Sequence, residues 1–267
     1  MCSLYHILKI CYNSVLQIYN KNMQNDQKSI AGAIIIAGVL IAGAVLLKGS
    51  SSPVGNNAGG DKVAITALSP VNKEDRTLGN EKAKVAVVVY EDFQCPFCGA
   101  ISGLLKADSP LIQALKQRDP NWDPFMPTVM EYVENGDVLF VYRDFAFLGP
   151  ESFQASEAAR CAEDQGKFWE YHDYLYSHQD GENEGTFSDT NLKSFAKTLG
   201  LDTSAFDKCL DENKYEQAVL DAKNEASSAG VTGTPKGFIL KNGKVVNTIE
   251  GAEPASAVKQ KIDAALK

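Results

Sequence analysis

Apolar positions along the chain fall into three patterns. From Ile30 to Leu47 they run unbroken and uncharged, IAGAIIIAGVLIAGAVLL. At about 1.5 Å per residue such a helix spans roughly 27 Å, close to the hydrocarbon thickness of a bilayer. The run predicts one N-terminal transmembrane helix, an anchor over 30–47. Two other readings stay open: a buried helix of a soluble domain, which rarely lacks a polar face, and a cleaved signal peptide, whose apolar stretch is usually shorter. Residues 1–29 form a short head. Met23 is an alternative start within it, which would make 1–22 an upstream extension. Residues 48–67 open with KGSSSPVGNNAGGDK and read as a flexible linker. The folded domain is expected over 68–267.

The second pattern is the short β-branched run. Lys84 to Tyr90, KVAVVVY, suits a strand buried on both faces. Val138 to Phe145 gives another. Lys236–Lys241 and Lys244–Ile249 flank Asn242-Gly243, a strong hairpin turn. The third pattern has helical spacing. Phe97, Ile101, Leu104 and Leu105 mark a helix that begins at a cysteine pair. Further helices are predicted over Glu151–Asp164, Gly166–His178, Ser188–Leu199, Ala205–Ala229 (one or two) and Pro254–Leu266. Residues 68–83 read as an irregular lead-in. Residues 108–127 hold Pro110, Pro120, Pro124 and Pro127 and read as broken helix and loop. The order is strand–helix–strand, a helical insert over about 150–229, then hairpin–helix. That order is an α/β fold.

Charge and cysteine usage narrow the chemistry. The formal net charge is −8, and residues 1–60 carry four lysines against one aspartate, so the acidic excess lies in the folded part. An acidic domain argues against nucleic-acid binding. The six cysteines and three histidines show no paired CxxC and no HExxH, so neither a metal nor a cofactor is expected.

Cys95-Pro96-Phe97-Cys98 joins the end of a strand to the start of a helix. Free N–H groups there stabilise a thiolate on the first cysteine. Cys95 is placed to attack and Cys98, one turn later, to resolve. Pro96 suits a first helical turn, where a missing N–H needs no partner. Half of a zinc site or a structural thiol pair are the competing readings. Gly233-Thr234-Pro235 precedes the hairpin. A cis Pro235 facing Cys95 would offer the Thr234 backbone to a substrate chain as a strand-like edge. An ordinary trans turn proline is the alternative, and the strand–CxxC–helix unit tips the reading to cis.

Taken together, KVAVVVYEDFQ, CPFC, YRDF, AARCAEDQGKFWEYHDYLY, FDKCL and GVTGTP resemble the DsbA-like branch of the thioredoxin-fold family, over residues 70–266. The resemblance implies a thioredoxin-like fold with an inserted helical domain. It implies an extracytoplasmic thiol–disulfide oxidoreductase that introduces disulfides into exported proteins through Cys95 and Cys98. The partners it implies are exported substrates with free thiols and a membrane quinone-linked thiol oxidase. The enzyme would sit in the cytoplasmic membrane by a single pass, with its catalytic domain facing the periplasm or cell exterior. A disulfide between Cys161 and Cys209 is implied too, a loop closure worth about 4 kcal/mol in the chain-entropy picture. Two free buried thiols are the alternative.

Two departures matter. Many relatives carry a buried Glu six residues before the first cysteine; here that position is Val89. Glu91 and Asp92 lie nearer and read more readily as turn or cap residues than as proton carriers. The strongest oxidases have His where Phe97 stands, so a less oxidising couple is expected. The stretch 106–127 also looks longer than usual. His172 and His178, on an aromatic helix, read as packing residues, and Trp122 as loop packing. Two rivals remain: a reductase or isomerase of the same fold, and a non-enzymatic membrane-tethered chaperone or binding module.

Overall fold

The computed structural model describes residues 68–267. The predicted head, anchor and linker lie outside them. No helix among the described residues is long and apolar enough to cross a membrane.

Five strands form one mixed sheet. They are β1 (Arg76–Gly79), β2 (Val85–Glu91), β3 (Val138–Asp144), β4 (Lys236–Lys241) and β5 (Lys244–Glu250), in the order β1-β3-β2-β4-β5. β2 runs parallel to β3, pairing Val85 with Val138 through Glu91 with Asp144. It runs antiparallel to β4 on its other side. With a partner on each edge and a layer on each face, β2 is buried along nearly its whole length, as its unbroken apolar sequence requires.

Successive side chains of β2 serve opposite faces. Val85, Val87 and Val89 join Phe140, Tyr142 and Ile239 in the larger core. Two helices also enter it: α3 (Phe125–Glu134) with Phe125 and Val129, and α9 (Ala255–Leu266) with Val258 and Ile262. Val88 and Tyr90 face the other way, with Val141, Phe238 and Leu240, under Ala226 of α8 (Glu216–Ser228). Burying each such valine is worth about 1.5–3 kcal/mol.

Between β3 and β4 the chain makes four further helices before or alongside α8. These are α4 (Pro150–Glu163), α5 (Phe168–Ser177), α6 (Asp189–Thr198) and α7 (Thr203–Asp211). A buried ion pair, Arg160 to Asp144 at 2.5 Å, ties α4 to the end of β3. Phe168, Tyr171, Leu175 and Tyr176 of α5 enter the larger core. Cys161 of α4 and Cys209 of α7 are bonded, closing a separation of 48 residues.

Two local expectations need correcting. The lead-in contains a strand, β1, too short and too mixed to show periodicity, which pairs with β3. The Pro-rich stretch is also more helical than expected. Pro110 opens α2 (Pro110–Arg118), with Ser109 capping the Ile112 N–H, and Pro127 sits in the first turn of α3. Prolines in such a stretch read as breakers, but at first-turn positions they start helices. Trp122 packs in the loop between them, its Nε1 donating to the Ala252 carbonyl at 2.9 Å.

Candidate active site

The end of β2 delivers the site. Glu91 is the last strand residue, and Asp92-Phe93-Gln94 turns the chain into α1 (Pro96–Ser102), with Cys95 at the N-cap and Pro96 in the first turn. Asp92 holds this turn. Its carboxylate accepts from the N–H groups of Gln94, Phe147 and Leu148 and from the Ser152 hydroxyl, at 2.7–3.1 Å. Its side chain is therefore the turn anchor expected of it.

Gln179, just beyond α5, fixes the same turn from the insert. Its Nε2 donates to the carbonyls of Phe93 and Cys95 at 2.5 and 3.1 Å. The sequence offered no signal for this residue, because the contact spans more than eighty positions. Gly99 is explained by it. A Cβ there would stand 2.1 Å from Gln179 Oε1.

Cys95 and Cys98 are both unbonded thiols, and their surroundings differ. Cys95 is 4% exposed and Cys98 is fully buried. Phe97 between them projects outward, 44% exposed. The Cys95 thiol is held below its ordinary pKa. The hydrogen bond from Cys98 is the main cause, burial opposes it, and the Thr234 side chain and the backbone N–H groups of Cys98 and Phe97 add to the lowering. The Cys98 thiol is pushed well above its usual value, first by burial, then by the Cys95 sulfur and the Glu91 carboxyl. One sulfur is thus prepared as a thiolate nucleophile and leaving group, and the other is kept as a thiol.

Thr234 and Pro235 complete the mouth. They are joined by a cis peptide bond, and Cys95 Sγ lies 3.3 Å from the Thr234 carbonyl. The structure therefore brings together Cys95, Cys98, Thr234 and Pro235, and keeps Cys161 and Cys209 apart from them as a bonded pair.

Glu91 departs from expectation. It is not a cap. It is buried, and its Oε1 has no hydrogen-bond partner. Burial pushes its carboxyl up to about 7, against the pull of His172 and the Tyr176 hydroxyl. The signal was present in the strand's period. Glu91 lies two residues after Val89, so it shares the face that packs beneath the cysteines. His172 is likewise buried, enclosed by aromatic rings, while His178 is exposed and stacks on Tyr174 at 3.9 Å. Among the described residues, no cluster of His, Cys, Asp or Glu could hold a metal.

The thioredoxin family model matches residues 71–108 and 123–264. The chain belongs to the thioredoxin family. The unmatched residues 109–122 contain α2, the stretch that looked long in the sequence. Among solved structures, the oxidised BdbD of Bacillus subtilis superposes with a TM-score of 0.58 at 20% identity, covering 75% of this chain and 97% of that one. Among curated proteins, the probable disulfide bond formation protein D of Bacillus anthracis is 26% identical over 176 residues, 64% of this chain and 71% of that protein. The Na(+)/H(+) antiporter NhaA 3 of Salinispora tropica is 30% identical over 185 residues, 68% of this chain. The chain spans about a quarter of the length of the antiporters it matches, 24% in that case.

Proposed function

We propose that this chain is a DsbA-like thiol–disulfide oxidoreductase that introduces disulfides into exported proteins. The observation that carries the reading is the asymmetry of the Cys95–Cys98 pair beside the Thr234–Pro235 edge. A substrate thiolate attacks Cys95 Sγ of the enzyme disulfide, and Cys98 leaves and takes up a proton. The second substrate thiolate then attacks the substrate sulfur bonded to Cys95, and Cys95 departs as a thiolate. Two electrons pass to the enzyme and a substrate disulfide forms. Because the lowered Cys95 pKa stabilises the reduced pair, it favours the oxidising direction. Glu91, next to Cys98 and poised near neutrality, serves as the proton partner of the buried thiol.

The proposed setting is the outer face of the cytoplasmic membrane, with the 30–47 run as anchor. A buried disulfide between α4 and α7 supports an oxidising compartment. The proposed partners are exported proteins with free thiols and a membrane quinone-linked thiol oxidase. The name of the Bacillus anthracis relative agrees with the direction. Thiol trapping in growing cells tests it: Cys95 and Cys98 should be mostly oxidised. A mostly reduced pair would establish the reductase or isomerase reading instead.

A further inference from the structure

A substrate chain docked on Thr234 covers the Cys95 side of the pair. Cys98 and Glu91 lie behind it, both buried. A separate cavity of about 250 Å³ reaches Glu91, and none of Cys95, Thr234 or Pro235 lines it. Its walls are mostly apolar, with Met126, Met130, Phe140 and Trp169 among them, and its carboxylate and imidazole groups are Glu91, His172 and Asp173.

Three buried atoms at this site lack partners: Glu91 Oε1, His172 Nε2 and the Tyr176 hydroxyl. Native interiors rarely leave such atoms unpaired, and each costs on the order of 1–3 kcal/mol. The other imidazole nitrogen is engaged. His172 Nδ1 lies 2.9 Å from Asp173 Oδ1, and the Asp173 side chain is 61% exposed. A carboxylate can only accept, so Nδ1 donates that bond, and Nε2 is the nitrogen left without a partner. The ring is fixed between Phe93, Tyr142, Trp169 and Tyr176, with centroids 4.9–5.7 Å away. One end of the imidazole is thus buried and unpaired, and the other is tied to a solvated group.

We propose that His172 and Asp173 form a proton relay joining Glu91 to solvent through this cavity, so that Cys98 exchanges its proton while a partner covers Cys95. The relay rests on the reading of Glu91 as the proton partner of Cys98. When a mixed disulfide at Cys95 is resolved, the Cys98 thiol gives its proton to Glu91. Its sulfur attacks Cys95 Sγ, and the partner's sulfur leaves as a thiolate. Glu91 passes the proton to His172 Nε2, and Nδ1 releases one toward Asp173 and water. One proton enters the relay and one leaves it. The other charged or titratable groups facing Glu91 are Cys95 from α1, Tyr142 from β3 and Tyr176 from α5. From α3 the cavity receives only Met126, Pro127 and Met130.

The test mixes reduced protein with oxidised glutathione under rapid quench. Cys95 attacks first, at a rate proportional to glutathione; Cys98 then closes the disulfide at a rate independent of it. His172→Phe keeps an aromatic ring, and Asp173→Asn alters only an exposed group. His172→Phe should slow closure by about tenfold or more and leave the first step unchanged. Asp173→Asn should slow closure by a smaller factor, and added imidazole should restore part of the His172→Phe loss. Equal slowing of both steps by His172→Phe, or closure at the normal rate in both variants, would overturn the relay. Glu91→Gln separates the two ideas. Slow closure there with normal closure in His172→Phe removes the relay and leaves Glu91 as proton partner. Normal closure in Glu91→Gln removes both.

Discussion

Among the described residues, two cysteine pairs lie in the same apolar core, and they behave as opposites. Cys95, Cys98, Cys161 and Cys209 all belong to the larger buried cluster. Burial therefore does not decide which pair reacts. The neighbours do. Cys161 and Cys209 join two helices, and the polar group near Cys209, Asp164, is engaged by Lys214 and Tyr215. Both sulfurs there are committed to a bond between the helices, with Asp164 3.9 Å from Cys209 Sγ. Cys95 and Cys98 share one helix start, and each has a different environment. Backbone N–H groups and Thr234 attend Cys95, and an unpartnered carboxyl attends Cys98. A disulfide becomes exchangeable when its two sulfurs are made unequal.

That comparison breaks most sharply at the reactive pair. Cys95→Ser should lower turnover by at least about a thousandfold. Cys98→Ser should instead accumulate a mixed disulfide on Cys95, visible by mass spectrometry of acid-quenched protein. Attack through Cys98 in the Cys95 variant would mean the asymmetry has been assigned backwards. At the other pair, the double change Cys161→Ala and Cys209→Ala should cost about 4 kcal/mol in urea unfolding. The equilibrium of Cys95–Cys98 with glutathione should not move. A shifted equilibrium would show that the structural bridge tunes the reactive one.

Glu91 gives the next largest effect. Its carboxyl is raised to about 7, so the fold prefers it protonated. That stability is fully present below the ordinary carboxyl value and is lost as pH rises through about 7. The loss in the reduced protein should be roughly 3 kcal/mol between pH 4.5 and 8. Glu91→Gln should abolish this slope, which paired urea titrations at the two pH values can read. A slope retained in the variant would place the responsible group elsewhere.

These features were unequally legible in the sequence. The CxxC turn, the Asn242-Gly243 hairpin and the β2 run are local, and the order of elements along the chain follows from them, whereas β1 and its place at the sheet edge do not. The cis bond at Pro235 is legible only through the upstream CxxC unit. Glu91 reads as a turn residue because its own neighbours, a strand end followed by Asp92, suit a turn. Its burial depends on α5, eighty residues away, which supplies His172 and Tyr176. Gln179 escaped for the same reason. The prolines of the 108–127 stretch misled because one residue type both ends a helix and starts the next.

The smallest predicted effect concerns Phe97, the exposed residue between the reactive sulfurs. It lends Cys95 a backbone N–H but has no side-chain donor. Phe97→His would add an imidazole beside the thiolate and lower the Cys95 pKa further. Each pKa unit is about 1.4 kcal/mol, or roughly 30 mV for a two-electron couple. The substitution should therefore raise the potential by about that amount per unit, measured against glutathione. It should leave unfolding of the oxidised protein unchanged, since Phe97 is not in the core. A potential that stays fixed while the Cys95 pKa falls would mean that Cys98 and Glu91, rather than Cys95, set the redox balance. The inequality between the sulfurs would then reside in the buried thiol.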